Sequence, residues 1–106
     1  SKTLRLATIG RKTGRRHEVT VNFVVGDGRL FITTRDNRRD WVQNLLKNPL
    51  CEVTISKVMR KMTAVVVQSA DERETIRQLY RRKYGILYRL RSPPKERIIY
   101  ELRPTS

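Results

Sequence analysis

Apolar and polar residues alternate from the start of the chain. Leu4, Leu6 and Thr8 interleave with Arg5 and Ala7, a period of two that predicts a strand running to Gly10. After a glycine-bounded connection, Gly10 to Gly14, the series Val19, Val21, Phe23 and Val25 alternates with Thr20 and Asn22, so the opening is a hairpin. Gly26-Asp27-Gly28 supplies the positive φ angles of a second tight reversal, and Leu30 to Thr34 is the third strand of a meander. Arg35 to Arg39 is polar, and then the period changes. Trp41, Val42, Leu45 and Leu46 fall on one face of a short helix, with Asp40 as N-cap, Gln43 as its capping-box partner and Pro49 as the stop. Cys51 to Ile55 and Val58 to Val67 read as strands joined at Ser56-Lys57. Ser69 and Glu72 form another capping box, opening a helix from about Asp71 to Tyr84 whose apolar stripe is Ile76, Leu79, Tyr80 and Tyr84; Gly85 ends it. Ser92-Pro93-Pro94 breaks the chain before a last strand in which Ile98, Tyr100 and Leu102 alternate.

The predicted order is βββ-α-ββ-α-β, mainly β with two helices. The early connections are too short for parallel crossovers, so the sheet is antiparallel, and about six short strands close or nearly close a small barrel. With 106 residues, positions 1–106 fit a single domain, and a hydrophobic fraction of 38% implies a thin core. Small chains often relieve that shortage by pairing with a second copy, so a homodimer is expected.

Charge changes the picture most. Lys and Arg total 24 against 10 Asp and Glu, a net +14 that attracts anions: nucleic acid, phosphorylated cofactors, acidic tails or anionic lipid. The one cysteine, Cys51, excludes an internal disulfide, and with one histidine, His17, no metal site is expected. No run approaches the roughly 18 apolar residues of a membrane span. Nor does a signal-peptide pattern follow the N-terminus, so a soluble, cytoplasmic protein is expected. The chain opens at Ser1 rather than at methionine, as expected of a processed or trimmed chain that lacks an N-terminal segment.

The turn Gly10-Arg11-Lys12-Thr13-Gly14 concentrates what a phosphate needs. Its glycines admit backbone amides to an anion, Arg11 binds bidentately, Lys12 adds a point charge and Thr13 a hydroxyl. It is not a Walker loop, because the spacing differs and a strand follows. From spacing alone, a solvated hairpin tip is an equal alternative. Arg35, Arg38 and Arg39 form a second basic element beside a helix N-terminus; a curled meander would bring both elements to one cavity, and a solvated loop is the alternative. Trp41 reads first as a core anchor, and Asn44 and Asn48 as polar groups at the helix end. Tyr80 reads as packing, whereas Tyr84 and Tyr88 share a face that reaches a pocket and are candidate proton donors. No carboxylate pair or nucleophile with partners stands out, so any redox chemistry needs a cofactor.

The run Leu6 to Arg15 resembles the signature turn of the deazaflavin-dependent nitroreductase and quinone reductase family, within the pyridoxamine 5′-phosphate oxidase-like, FMN-binding split-barrel superfamily. The likeness continues through Gly28-Arg29-Leu30-Phe31, through Asp40 to Pro49, and through the helix ending Arg82-Lys83-Tyr84-Gly85. It implies a split barrel and a cofactor, coenzyme F-420 or FMN. By that resemblance Arg11, Lys12, Thr13 and Gly14 hold the cofactor phosphate, and Thr20, Val21 and Asn22 pass beside the ring. Thr33, Thr34 and Arg35 border the phosphate or ribityl chain, with Arg38 and Arg39 nearby, and Trp41 and Asn44 match the helix that closes the region. Relatives commonly carry prolines where this chain has Arg16 and Thr20, and a glycine-rich stretch where it has Arg35-Asp36-Asn37-Arg38. The implied reaction is hydride transfer from reduced F-420, or from FMN, to an electron-poor acceptor such as a quinone or nitroaromatic. The alternatives are a cofactor-binding protein without turnover and a small basic nucleic-acid-binding barrel.

Overall fold

The computed structural model of the chain describes residues 3–34, 36–85 and 97–105. Its elements follow the predicted order: β1 (Thr3–Ile9), β2 (Arg16–Gly26), β3 (Arg29–Thr33), α1 (Asp40–Lys47), β4 (Leu50–Ile55), β5 (Val58–Val66), α2 (Ala70–Tyr84) and β6 (Ile99–Pro104). The strands form a closed antiparallel barrel in the order β1-β2-β3-β6-β5-β4. Tyr88 and the Ser92-Pro93-Pro94 break lie outside the described residues.

The alternation read from the sequence is the inside and outside of this barrel. Leu4, Leu6, Val21, Phe23, Ile32, Val53, Tyr100 and Leu102 pack inward, and α1 adds Trp41, Val42 and Leu45 to the same core. The longer helix α2 lies outside, where Ile76 and Tyr80 cover Val24, Phe31, Val67 and Ile99. Ala7 faces outward yet is only 5% exposed. The reason is Arg16, whose guanidinium spans from Glu18 to Glu52, the two cross-strand neighbours of Ala7. A second ionic bolt joins Arg29 to the buried Glu101 at 2.9 Å and to Glu72 of α2 at 2.8 Å. The Arg29 and Arg103 guanidinium groups hold the Glu101 carboxyl well down, at about 2.

Turn chemistry follows the residues closely. Asp27 and Gly28 both have positive φ, as the β2–β3 reversal requires. Ser56 and Lys57 adopt the same conformation without glycine. In the first turn, Gly10 N–H donates to Arg15 O (2.7 Å) and Gly14 N–H to Gly10 O (2.8 Å). Gly14 has φ +72°, so the turn needs a glycine there, whereas a Cβ at Gly10 would meet only the exposed His17 ring, at 2.8 Å, and the Thr13 hydroxyl.

Two local expectations are corrected. Asp40 is the first residue of α1, not its cap; Arg39 occupies the cap position and supplies no side-chain bond. Gln43 instead donates to Asn37 O at 2.8 Å, because the loop before the helix needs that anchor. Leu46, placed on the apolar face, is 50% exposed. It sits about 100° of helix rotation from Leu45, outside the arc that an eight-residue helix can turn into the core. The other capping box stands: Ser69 Oγ accepts from Glu72 N–H at 3.3 Å, and Gly85 ends α2 with φ +89°.

The two neighbouring leucines of α1 therefore separate in a stability measurement. Leu45→Ala should cost about 2–5 kcal/mol in urea unfolding. Leu46→Ala should stay within about 0.5 kcal/mol. Equal effects would show that α1 packs differently.

Candidate functional site

One opening in the barrel wall follows from a mismatch of strand lengths. Residues Arg16–Asn22 of β2 pair with β1, and only Phe23–Gly26 pair with β3. Past Thr33 β3 ends, so among the described residues no strand pairs with the β3-facing edge of Thr20–Asn22. Hydrogen-bonding directions alternate along a strand, which turns the backbone groups of Thr20 and Asn22 to this open side. Asn22 O accepts from the Tyr80 hydroxyl at 3.2 Å there.

The opening is a cleft of about 260 Å³ lined by Thr20, Val21, Asn22, Thr33, Thr34, Arg39 and Trp41. Trp41 walls it from the core side, braced by Tyr100 at a ring separation of 6.3 Å. The Tyr100 hydroxyl donates to Val42 O at 2.8 Å, and its burial pushes the phenol up to about 12. Thr33 spends its hydroxyl on Ile98 O at 2.7 Å. Five of the residues assigned to the ring and ribityl chain, together with Trp41, are thus brought together, and Arg39 joins them. Arg35 lies outside the described residues.

Positive charge gathers at the rim. Arg39 caps α1 through its backbone alone, leaving the first-turn amides of the helix without a side-chain acceptor. Such an uncapped N-terminus carries partial positive charge and favours an anion. Arg39 forms no ion pair among the described residues, and it lines the cleft. Arg38 does not: its guanidinium turns back onto Asp36 at 3.0 Å and holds that carboxyl below the usual range. Of the two adjacent arginines expected near the cofactor, only Arg39 lines the cleft.

The basic turn stands beside the cleft, not in its lining. Arg11 reaches α1: its Nη1 donates to Asn44 Oδ1 at 2.9 Å, and its Nη2 lies 3.4 Å from the Asp40 carboxylate. Asp40 is flanked in sequence by the two cleft residues Arg39 and Trp41, so the first turn of α1 joins the two basic elements. Lys12 and Thr13 are exposed and line neither this cleft nor the second one described below; Thr13 Oγ1 accepts from Arg15 N–H at 3.2 Å. Gly14 faces that second cleft, about 360 Å³, on the outer wall among Ala7, Ile9, Leu50, Cys51, Met62 and the charged Arg16, Glu52 and Lys61.

Tyr84 is corrected as a proton donor. Its hydroxyl donates to Phe23 O at 3.0 Å and accepts from Phe23 N–H at 3.2 Å, on the β2 edge that β1 leaves bare. Cys51 is buried, and burial pushes its thiol up to about 11, so it offers no thiolate. Asn44 was misread as a polar helix end. It is 2% exposed and donates through Nδ2 to Thr8 Oγ1 at 3.1 Å. Its spacing three residues after Trp41, on the buried arc of α1, was the available signal.

A family model described as F420H(2)-dependent quinone reductase matches residues 1–99. No curated protein sequence matches the chain. Among solved structures it is similar to an F420-H2 dependent reductase, with a TM-score of 0.79 and 18% identity over 96% of this chain and 94% of that one. It is also similar to the heme storage protein HutZ of Vibrio cholerae, with a TM-score of 0.78 and 19% identity over 99% and 82% of the two chains. ChuZ of Campylobacter jejuni matches with a TM-score of 0.77 and 15% identity over 98% of this chain and 48% of that one. At these identities the structures establish the shared fold.

The Asp40 carboxylate occupies the position where an incoming anion would meet Arg11 and the helix N-terminus. Asp40→Asn should therefore tighten FMN binding roughly two- to fivefold at low ionic strength, a gain that fades in high salt. Calorimetric titration at two salt concentrations measures this, and unchanged or weaker binding would place the anion elsewhere.

Proposed function

The chain belongs to the F420H(2)-dependent quinone reductase family and is a deazaflavin-dependent reductase; from that premise we propose that it holds reduced coenzyme F-420 in the cleft between β2 and β3 and reduces a quinone there. The observation that carries this reading is the unpaired edge of Thr20–Asn22 facing Trp41 and Arg39 across one cleft. A planar heterocycle with amide-like edges needs such an edge, and a phosphate needs the cations and the positive end of the helix at the start of α1.

When bound, the deazaflavin supplies a hydride to an electron-poor acceptor. The chain's own share is binding, orientation and exclusion of water. Thr20 and Asn22 offer backbone partners to the ring edge, and Trp41 gives a flat apolar wall. Arg39, Arg11 and the first-turn amides of α1 take the phosphate, with Lys12 and Thr13 contributing at longer range. The second proton that a quinone needs comes from solvent in this account, since Tyr84 is committed to Phe23. Thr34 borders the cleft mouth, where the acceptor enters.

The same reading takes residues 1–106 as a single cytoplasmic domain that pairs with a second copy. Ile9 and Leu50, 38% and 48% exposed around the outer-wall cleft, are the apolar surface that pairing would cover. No helix among the described residues is long and apolar enough to cross a membrane. FMN is the alternative cofactor, since it presents the same phosphate and ring edge. A nucleic-acid-binding barrel finds no support in the aromatic side chains: every described Phe, Tyr and Trp is buried or half-buried, so none forms an exposed stacking platform.

The test is absorbance titration of the protein with F-420 and with FMN at low salt, followed by reoxidation of reduced F-420 with a soluble quinone. Tight F-420 binding, catalysed reoxidation and a loss of affinity on the order of tenfold in Arg39→Ala are expected. Tighter binding of FMN would reassign the cofactor. Ring binding without reoxidation would make the protein a carrier, and no binding of either ring would refute the reading.

A further inference from the structure

We propose that Asn44 is the positioning residue of the anion site: its buried carboxamide fixes the Gly10–Gly14 turn against α1 and aims Arg11 at the first turn of that helix. The proposal rests on the ring-and-phosphate reading given above and names the device behind it.

A primary amide buried to 2% exposure is expensive unless every polar atom is used. Asn44 uses all of its groups. Oδ1 accepts from the backbone N–H of Arg11 at 3.1 Å and from Arg11 Nη1 at 2.9 Å, while Nδ2 donates to Thr8 Oγ1 at 3.1 Å. Reversing the amide would set Nδ2 against two donors, so the orientation is fixed by its partners. One side chain thereby ties the end of β1, the turn after it and α1 together. A leucine would fill the same space at lower cost, but it would leave Arg11 unheld.

The guanidinium of Arg11 consequently has two unlike contacts. Nη1 is held by a neutral, buried oxygen that an incoming anion does not displace. Nη1 and Nη2 both also lie 3.4 Å from Asp40, whose carboxylate is 80% exposed, a weak and screened partner. An anion can exchange with Asp40 while Asn44 keeps the arginine in place. Holding the guanidinium beforehand removes the side-chain entropy that a free arginine would lose on binding.

A strut that only stabilised the fold would weaken all ligands alike. A positioning residue weakens those that carry the phosphate. The experiment compares ring compounds with and without phosphate, FMN against riboflavin and F-420 against its phosphate-free core, in the wild type, Asn44→Ala and the gentler, near-isosteric Thr8→Val. The wild type should prefer the phosphorylated member of each pair. Asn44→Ala should lose on the order of tenfold of that preference, and Thr8→Val part of it, with affinity for the phosphate-free rings within about twofold of wild type. In the Asn44→Ala background, Arg11→Ala should add little further loss, because both act through one contact. A wild-type preference that survives in both variants, or an equal loss for both members of each pair, overturns the role of Asn44 alone. A wild type that binds neither ring overturns the ring-cleft reading itself.

Discussion

The whole arrangement depends on how β2 divides its hydrogen bonds. Its first seven residues pair with β1 and its last four with β3, so each half has one bare edge. A bare edge inside a barrel must be covered, solvated or used. On one side α2 covers it: the Tyr84 hydroxyl and the Lys83 ammonium bond the backbone of Phe23, and the ammonium also rests over the Phe23 ring at 3.6 Å. On the other side no described strand pairs with Thr20–Asn22; the Tyr80 hydroxyl takes Asn22 O, and the chain leaving β3 sets Trp41 and Arg39 around the rest. The cleft is the half of this mismatch that the protein does not cover itself.

Charge is distributed by the same geometry. On the outer wall, basic side chains meet carboxylates of their own strand or of a neighbouring strand or helix, as Arg16 does between Glu18 and Glu52, and Arg29 between Glu72 and Glu101. At the cleft rim the pairing is incomplete: among the described residues Arg39 forms no ion pair and Arg11 pairs with the exposed Asp40. The net excess of +14 therefore matters locally where cations converge on a helix start that no side chain caps. Exposed pairs elsewhere contribute little to stability and leave the site's field intact.

Much of this was legible in the residues. Period-two alternation placed β1, β2 and β6, the turns and apolar runs between them placed β3, β4 and β5, and Ser69 with Glu72 marked the start of α2. Thr20, Val21, Asn22, Thr33, Thr34 and Trp41 were grouped by resemblance, and the fold brings them to one cleft. What stayed hidden depended on direction within a loop or helix. Arg38 and Arg39 are chemically identical neighbours, and only the turn at Asp36 decides which one faces the cleft. Asn44 looked like a polar helix end because its partners, Thr8 and Arg11, are distant in sequence. The positive φ angles at Ser56 and Lys57 carry no glycine to announce them.

The central claim is that the ligand sits in the split between β2 and β3, with its anionic end at the start of α1. Amide chemical-shift mapping of the labelled protein on addition of F-420 tests it most directly. The account predicts perturbations at Thr20, Val21, Asn22, Thr33, Thr34, Arg39 and Trp41, continuing to Arg11 and Asn44, with Lys61, Met62 and Leu50 unmoved by the ring. Shifts concentrated on the outer-wall residues Ala7, Ile9, Leu50 and Lys61, with the β2–β3 split silent, would contradict it.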